Sequence, residues 1–376
     1  MEKKVFNKGT RIGLALSGGG IRALIFHLSI LKFLAENGDL ENVKTITTVS
    51  GGSICIGLIL SINDYKWPTS KEYLEKVLPE CKGIVLNNDI TSGMMRLKEK
   101  YPEYDTVMLL AKALEEEWGV HGDLQTIPSS LNWEINCATF ETTKNFRFSK
   151  RRMGDPLLGY TMNPDFPISN AVAASAAFPE IIGTYRLDMS LYKWYKDELG
   201  NTPLTAPRDF CNLWDGGVYD NLGLEVLYKP GFGLKKGIDF LVVSDASSPI
   251  YEQEYSKESR LENLQRIWDI SVKKLNELVV RSLFRDVINK GKGAYLKTGT
   301  FVLDVLKKLP IPQKIIVKLG ETTLSHEKVI LAMNYPTTLI APTSEEFKLI
   351  LRHGYETAAC IRIKSMIKSY RYFKVN

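Results

Sequence analysis

Apolar residues recur along this chain at two different spacings, and the switches between them mark its elements. RIGLAL at 11–16 is a near-continuous apolar run bounded by turn residues, the pattern of a short buried strand. After Ser17 and three glycines, Ile21, Leu24, Ile25, Leu28, Leu31 and Leu34 recur at helical spacing. They predict a helix to about Glu36, which Asn37-Gly38-Asp39 stops. Residues 43–49 read as a second strand, rich in β-branched side chains. Ser50-Gly51-Gly52-Ser53 breaks it, and 54–62 is apolar on nearly every side, predicting a fully buried helix. Strand, glycine turn, helix, strand, sharp turn and helix make a parallel βαβ unit. Its crossover is right-handed, and parallel strands bring both turns to the carboxyl-terminal edge of the sheet, where open α/β sheets bind ligands.

Further along, residues 64–130 are more polar, with helices predicted at 73–78 and 107–118, and read as an insertion flanking the site. A strand pair is expected at 133–139 and 145–148. AVAASAA at 171–177 is a run of small residues ended by Phe178-Pro179. A short strand at 210–214 leads into Asp215-Gly216-Gly217, and FLVVS at 240–244 is another buried strand. A long amphipathic helix is predicted over 261–287 and a closing helical region over 345–364. No internal repeat appears, and no linker forces a second domain. The expectation is one domain over 9–365 with mainly helical insertions at about 64–130 and 250–325.

Composition narrows the class. With 376 residues, 44% hydrophobic and 24% charged, the chain has the make-up of a folded globular protein rather than a disordered one. The longest largely apolar run, 54–62, is about half of the ~20 residues a bilayer crossing takes. No apolar stretch follows the charged amino terminus, so no secretory signal is expected. Cys55, Cys81, Cys137, Cys211 and Cys360 are odd in number, with no pair at CxxC spacing, which points away from a disulfide framework or zinc site and toward a cytoplasmic location. Four scattered histidines suggest no metal cluster. The net charge of +6 is concentrated: 281–320 holds nine Lys or Arg against two Asp, with Leu283, Phe284, Phe301, Val302, Leu306, Ile311, Ile315 and Ile316 between them. Such a segment suits an anionic membrane surface. It suits equally a solvated basic face over packed helices. No nucleic-acid recognition motif accompanies the charge, so nucleic acid is not expected as a partner.

The candidate chemistry sits in three turns. Ser50 follows a buried strand and precedes a buried helix, with Gly51 and Gly52 behind it, the setting an exposed nucleophilic serine needs. The helix amino terminus favours negative charge there. Thr48 stands where G-x-S-x-G would have its first glycine. Ser53, the other nearby hydroxyl, reads as a helix-packing residue. Gly18, Gly19 and Gly20 lie between a strand and a helix, exposing backbone N–H groups that can hold a phosphate or a tetrahedral oxyanion. Neither G-K-[ST] nor G-x-G-x-x-G is present, which argues against a nucleotide loop. Arg22 is placed to brace this loop or meet a lipid phosphate. Asp215, at a strand end before Gly216 and Gly217, is the candidate base, with Asp245 and His27 as rivals.

Together these residues resemble the patatin-like phospholipase family. Ser17-Gly18-Gly19-Gly20-Ile21-Arg22-Ala23 is similar to its glycine-rich oxyanion loop. Val49-Ser50-Gly51-Gly52-Ser53 is similar to its nucleophile elbow and Asp215-Gly216-Gly217 to its D-G-[GA] segment. Residues 173–179 (AASAAFP) and 347–358 (FKLILRHGYETA) resemble further family segments, in the same order along the chain. Thr48, and Ala23 in place of a common glycine, depart from the pattern, and 250–325 matches none of it. The resemblance implies a three-layer α/β/α sandwich with a mainly parallel central sheet. It implies a Ser50–Asp215 dyad, an oxyanion hole from Gly18, Gly19 and Gly20, support from Arg22, Gly52, Gly216 and Gly217, and no metal or organic cofactor. The implied activity is hydrolysis of fatty-acyl esters in phospholipids or other acyl lipids through an acyl-serine, with peripheral membrane contact through 281–320. An acyltransferase using the same acyl-enzyme, a catalytically silent lipid-binding protein and a phosphate-binding module remain as alternatives.

Overall fold

The computed structural model describes residues 9–179, 181–249 and 260–375, and the side chains within these except those of 260, 261, 265 and 363–375. The first half of the chain lays down β1 (Ile12–Leu16), α1 (Gly20–Glu36), β2 (Val43–Thr48) and α2 (Gly51–Ile62). The polar insertion follows as helices that include α3 (Ile90–Lys100) and α4 (Thr106–Glu116). Asp89 and Asp105 cap these two helices by accepting from the backbone N–H groups of Ser92 and Met108. Then come β3 (Asn132–Thr139), β4 (Asn145–Phe148), β5 (Arg152–Asp155), β6 (Gly159–Met162), α5 (Ile168–Ser175), β7 (Tyr185–Asp188) and β8 (Phe210–Asp215). The chain continues through β9 (Phe240–Asp245), α6 (Arg260–Asp286) and β10 (Gly293–Lys297), and closes on α7 (Ser344–Val375).

One mixed sheet organises these elements. Five strands run parallel in the order β10-β9-β1-β2-β3, and β4, β5 and β6 continue it as an antiparallel meander. Every residue of β1 is buried, as expected for a central strand covered on both faces. Helices α1 and α2 are buried along most of their length for the same reason, since α7 and α5 lie outside them.

The sequence placed β10 inside a helical insertion, and here the structure differs. Gly293–Lys297 is the fifth parallel strand, paired with β9 in register from Leu241–Gly293 to Asp245–Lys297. Its residues, GAYLK, carry too few apolar side chains to read as a strand, because an edge strand needs only one covered face. The basic segment also turns its apolar side chains inward. Leu283, Val302, Leu306 and Ile316 are buried, while Ile315 and Val317 are exposed. That is the pattern of a solvated basic face over packed helices. Among the described residues no helix is long and apolar enough to cross a membrane.

Candidate active site

The site forms where two strand ends meet. Along one flank of β3, β2 pairs in parallel as far as Thr48 opposite Ile135. On the same flank, β8 arrives from the other direction and ends with Asp215 opposite Cys137. The turns that follow Thr48 and Asp215 therefore face each other across a gap in the sheet.

Ser50 occupies the first of these turns with φ 50° and ψ −118°, a conformation non-glycine residues rarely adopt. Its backbone N–H donates to the Ser175 hydroxyl at 3.0 Å. Its side chain lies near enough to Asp215 to favour the ionised carboxylate. The Asp215 carboxylate also accepts the Gly217 N–H at 2.7 Å. Burial pushes the Asp215 carboxyl up to about 6, against the Gly217 hydrogen bond and the nearby Ser50 side chain, which pull it down. A carboxylate poised there is ionised at neutral pH yet basic enough to accept a proton.

The glycines allow backbones to touch. A Cβ on Gly51 would lie 2.3 Å from the Gly20 carbonyl oxygen, so the serine turn and the glycine loop are pressed directly together. One on Gly216 would lie 2.4 Å from the Asn136 carbonyl oxygen. Gly52 packs on the Leu16 carbonyl in the same manner, and Gly217 on the Asn221 side chain. Among the three loop glycines, the Gly18 N–H is already used, donating to the Asn221 carbonyl at 3.3 Å. The amides of Gly19, Gly20 and Gly51 have no protein acceptor among the described residues.

Arg22 is a brace. It is buried, and its guanidinium donates to the carbonyls of Ala246 and Tyr335 and to the hydroxyls of Ser248 and Thr337. Burial draws its pKa down to about 10, with Asp245 opposing. Its donors are spent on two loops from the far half of the chain, which sequence spacing could not reveal.

The rival groups lie elsewhere. His27 is buried between the Ser244 hydroxyl at 2.7 Å and the Ser17 carbonyl at 2.8 Å, and burial lowers it to about 4. Its Nε2 donates to Ser17, which leaves Nδ1 to accept from Ser244. Asp245 accepts from the Tyr295 hydroxyl and the Ser247 N–H, two strands away from β2. Ser53 is buried and bonds Thr48 and Ser175 at 2.9 and 2.8 Å. Thr48 departs from glycine because its hydroxyl is in use, accepting from Ser53 and from the Trp133 indole.

Sequence reasoning missed Ser175. It sits among five alanines, and its hydroxyl accepts from Ser50, contacts Ser53 and donates to the Asn136 carbonyl at 2.8 Å, while its own carbonyl accepts the Gly216 N–H at 3.3 Å. A lone buried hydroxyl in a small-residue helix was the available signal.

Ser50 and Asp215 line a cavity of about 910 Å³. Its walls are mainly apolar: Met94, Met95 and Leu109 from the first insertion, Phe178 and Ile182 after α5, Val272 from α6, and Leu339 and Ile340 before α7. Among the described residues no group of His, Cys, Asp and Glu is arranged to hold a metal.

The family model for patatin-like phospholipase matches residues 14–228, more than half the chain. The chain belongs to that family. No curated protein matches it by sequence. Among solved structures, human GIVD cytosolic phospholipase A2 is similar over 97% of this chain and 62% of its own, with 14% identity and a TM-score of 0.55. The same human protein in complex with methyl γ-linolenyl fluorophosphonate and terbium chloride aligns over 97% of this chain and 59% of its own, at 14% identity and a TM-score of 0.51. This patatin-like chain thus spans about three fifths of the human chains it matches, and the likeness is one of fold: a central sheet, parallel in its core strands, between helices.

Proposed function

We propose that this chain is a lipid acyl hydrolase of the phospholipase A or lysophospholipase type, acting through Ser50 and Asp215. The observation that carries the reading is the strained Ser50, lining a large apolar cavity together with the buried Asp215. The cavity suits a fatty-acyl chain, since ligand sites of roughly 300–1,000 Å³ bury most of a ligand's surface.

The chemistry follows from the positions of the groups. The Ser50 hydroxyl gives its proton to Asp215 as Oγ attacks the ester carbonyl carbon. The developing oxyanion is met by the amides of Gly19 and Gly51, with Gly20 beside them, at the amino termini of α1 and α2. The carbon–oxygen bond to the glycerol side then breaks, and Asp215 returns the proton to the departing alcohol. Water attacks the acyl-serine, Asp215 accepts its proton, and release of the fatty acid restores the Ser50 hydroxyl. Gly18 contributes by holding the loop against Asn221, and Arg22 by fixing it to the loops at 246–248 and 335–338.

The test is fatty-acid release from phospholipid vesicles carrying distinct chains at the two glycerol positions, with wild type and Ser50→Ala. Release by wild type alone is the expected result and reports the positional preference. Release that persists in Ser50→Ala overturns the assignment of the nucleophile. An added alcohol acceptor in the same assay shows whether the acyl group passes to it in preference to water.

A further inference from the structure

Helix α6 is longer than the sheet it flanks. Its 27 residues span about 40 Å, whereas the six residues of β9 span about 20 Å. Its carboxyl-terminal end is anchored: Leu283, and Val287 just past the helix, are buried against β1 and β9, with Val279 and Val280 beside them. Val272 and Asn276 line the cavity that holds Ser50.

Helix α6 also carries large apolar side chains that are exposed. Leu264, Ile267, Trp268, Leu275 and Leu278 fall at three-, four- and seven-residue steps and form one stripe, with 64, 62, 42, 60 and 49% of their surface exposed, while Ile270, 59% exposed, lies off it. The rest of the cavity mouth shows the same feature. Met95, Ile181 and Ile340 line the cavity and are exposed by 68, 68 and 54%. Four separate chain segments therefore present apolar surface around one opening, more than scattered exposure accounts for.

We propose that this face, the outer stripe of α6 with the rim residues Met95, Ile181 and Ile340, is where the chain sits on a lipid bilayer. The proposal rests on the acyl-lipid reading of the Ser50 cavity. A lipid surface is favoured over a second copy of the chain because Val272, one helical turn from both Trp268 and Leu275 of the stripe, lines the cavity. Pairing along α6 would leave the other three rim segments uncovered. An acyl chain leaving the bilayer past Val272 reaches Ser50 without crossing water. Charge supports an apolar mode of attachment. Arg266, Lys273, Lys274 and Arg281 are offset along the helix by Glu262, Asp269 and Glu277, so the stripe has little net charge to draw it to anionic lipid. Binding here depends on apolar burial and resists salt, whereas binding through the basic 281–320 segment would be abolished by it.

The experiment compares Ser50→Ala protein with the same protein carrying Leu264→Glu, Ile267→Glu and Leu275→Glu. It measures co-sedimentation with phosphatidylcholine vesicles at low and high salt. Binding of the parent at both salt concentrations, weakened by roughly a hundredfold in the triple variant, is expected. On the Ser50 background, hydrolysis of a soluble short-chain ester should be unchanged by the three substitutions while hydrolysis of vesicle phospholipid collapses. Trp268 supplies a second readout: its emission should shift to the blue on vesicles, and the shift should vanish in Trp268→Phe. Equal vesicle binding by parent and triple variant overturns the proposal. So does binding only to anionic vesicles at low salt, or a dimer in solution that the triple variant dissociates. Failure of the hydrolase reading is distinguishable, because it would leave vesicle binding intact with no Ser50-dependent hydrolysis of either substrate.

Discussion

Thr48 and Asp215 stand end to end along the same flank of β3, Thr48 opposite Ile135 and Asp215 opposite Cys137. Two strands approaching from opposite directions stop two residues apart, and the turn after each supplies one member of the Ser50–Asp215 pair. The pairing is thus set by sheet register rather than by mobile loops, which suits groups that must stay within hydrogen-bond reach.

Replacing Asp215 by Asn should remove the proton acceptor and lower kcat/KM by about 10²–10⁴-fold. In wild type the same quantity should rise with pH and reach half its plateau near pH 6, where the buried carboxyl ionises. Stability should move oppositely. The folded carboxyl keeps its proton to about pH 6, while the unfolded chain releases it near 3.8, so wild type loses stability as pH rises between those values. Asp215→Asn should therefore be more stable than wild type at pH 8, by up to ~3 kcal/mol, and the difference should fade below pH ~4. Denaturant melts at the two pH values check this.

Ser175→Ala should leave the Ser50 N–H and the Asn136 carbonyl short of a partner. A stability loss of about 1–3 kcal/mol is expected from buried groups left unpaired. A structural loss alone would spare turnover at temperatures where the variant is fully folded. Because Ser175 touches both turns, kcat should instead fall there about tenfold with KM little changed, a misplacement effect.

Gly51→Ala would put a methyl group 2.3 Å from the Gly20 carbonyl oxygen. The two turns must separate, and the amides of Gly19 and Gly51 with them. Loss of about 10²–10³-fold in kcat is expected, similar to removing one oxyanion donor. Circular dichroism and a thermal melt would show whether the fold survives.

Arg22→Lys keeps the charge but not the fork. Four acceptors on two loops cannot be spanned by one ammonium group, so the variant should lose stability. The loop at 335–338 should become sensitive to protease. An unchanged digestion pattern would mean that other contacts hold the loop.

Much of this was legible because it is local. The positive φ at Ser50, the glycine loop and the Asp215 turn are each decided by a few neighbouring residues, and apolar spacing alone marks β1, α1, β2 and α2 as buried. Strand Gly293–Lys297 was not legible, since an edge strand covered on one side needs no long apolar run. Nor was the inward turn of the apolar residues in 281–320. Alternating charge and apolarity describes a packed helix and a membrane-facing one equally, and only the neighbours decide.

The chain by itself placed Gly18 to Gly20 and Ser50 on turns at one sheet edge, because parallel strands joined by a right-handed crossover bring both turns there, whereas Asp215 ends a strand antiparallel to β3 and is brought beside Ser50 by sheet register. The tertiary structure alone decided what surrounds them. Ser175 lies 125 residues from Ser50, the loops that Arg22 holds lie more than 220 and 310 residues away, and the cavity wall draws on segments from Met94 to Ile340. Contacts at such separations depend on how the helices settle on the sheet, which no local spacing of residues encodes.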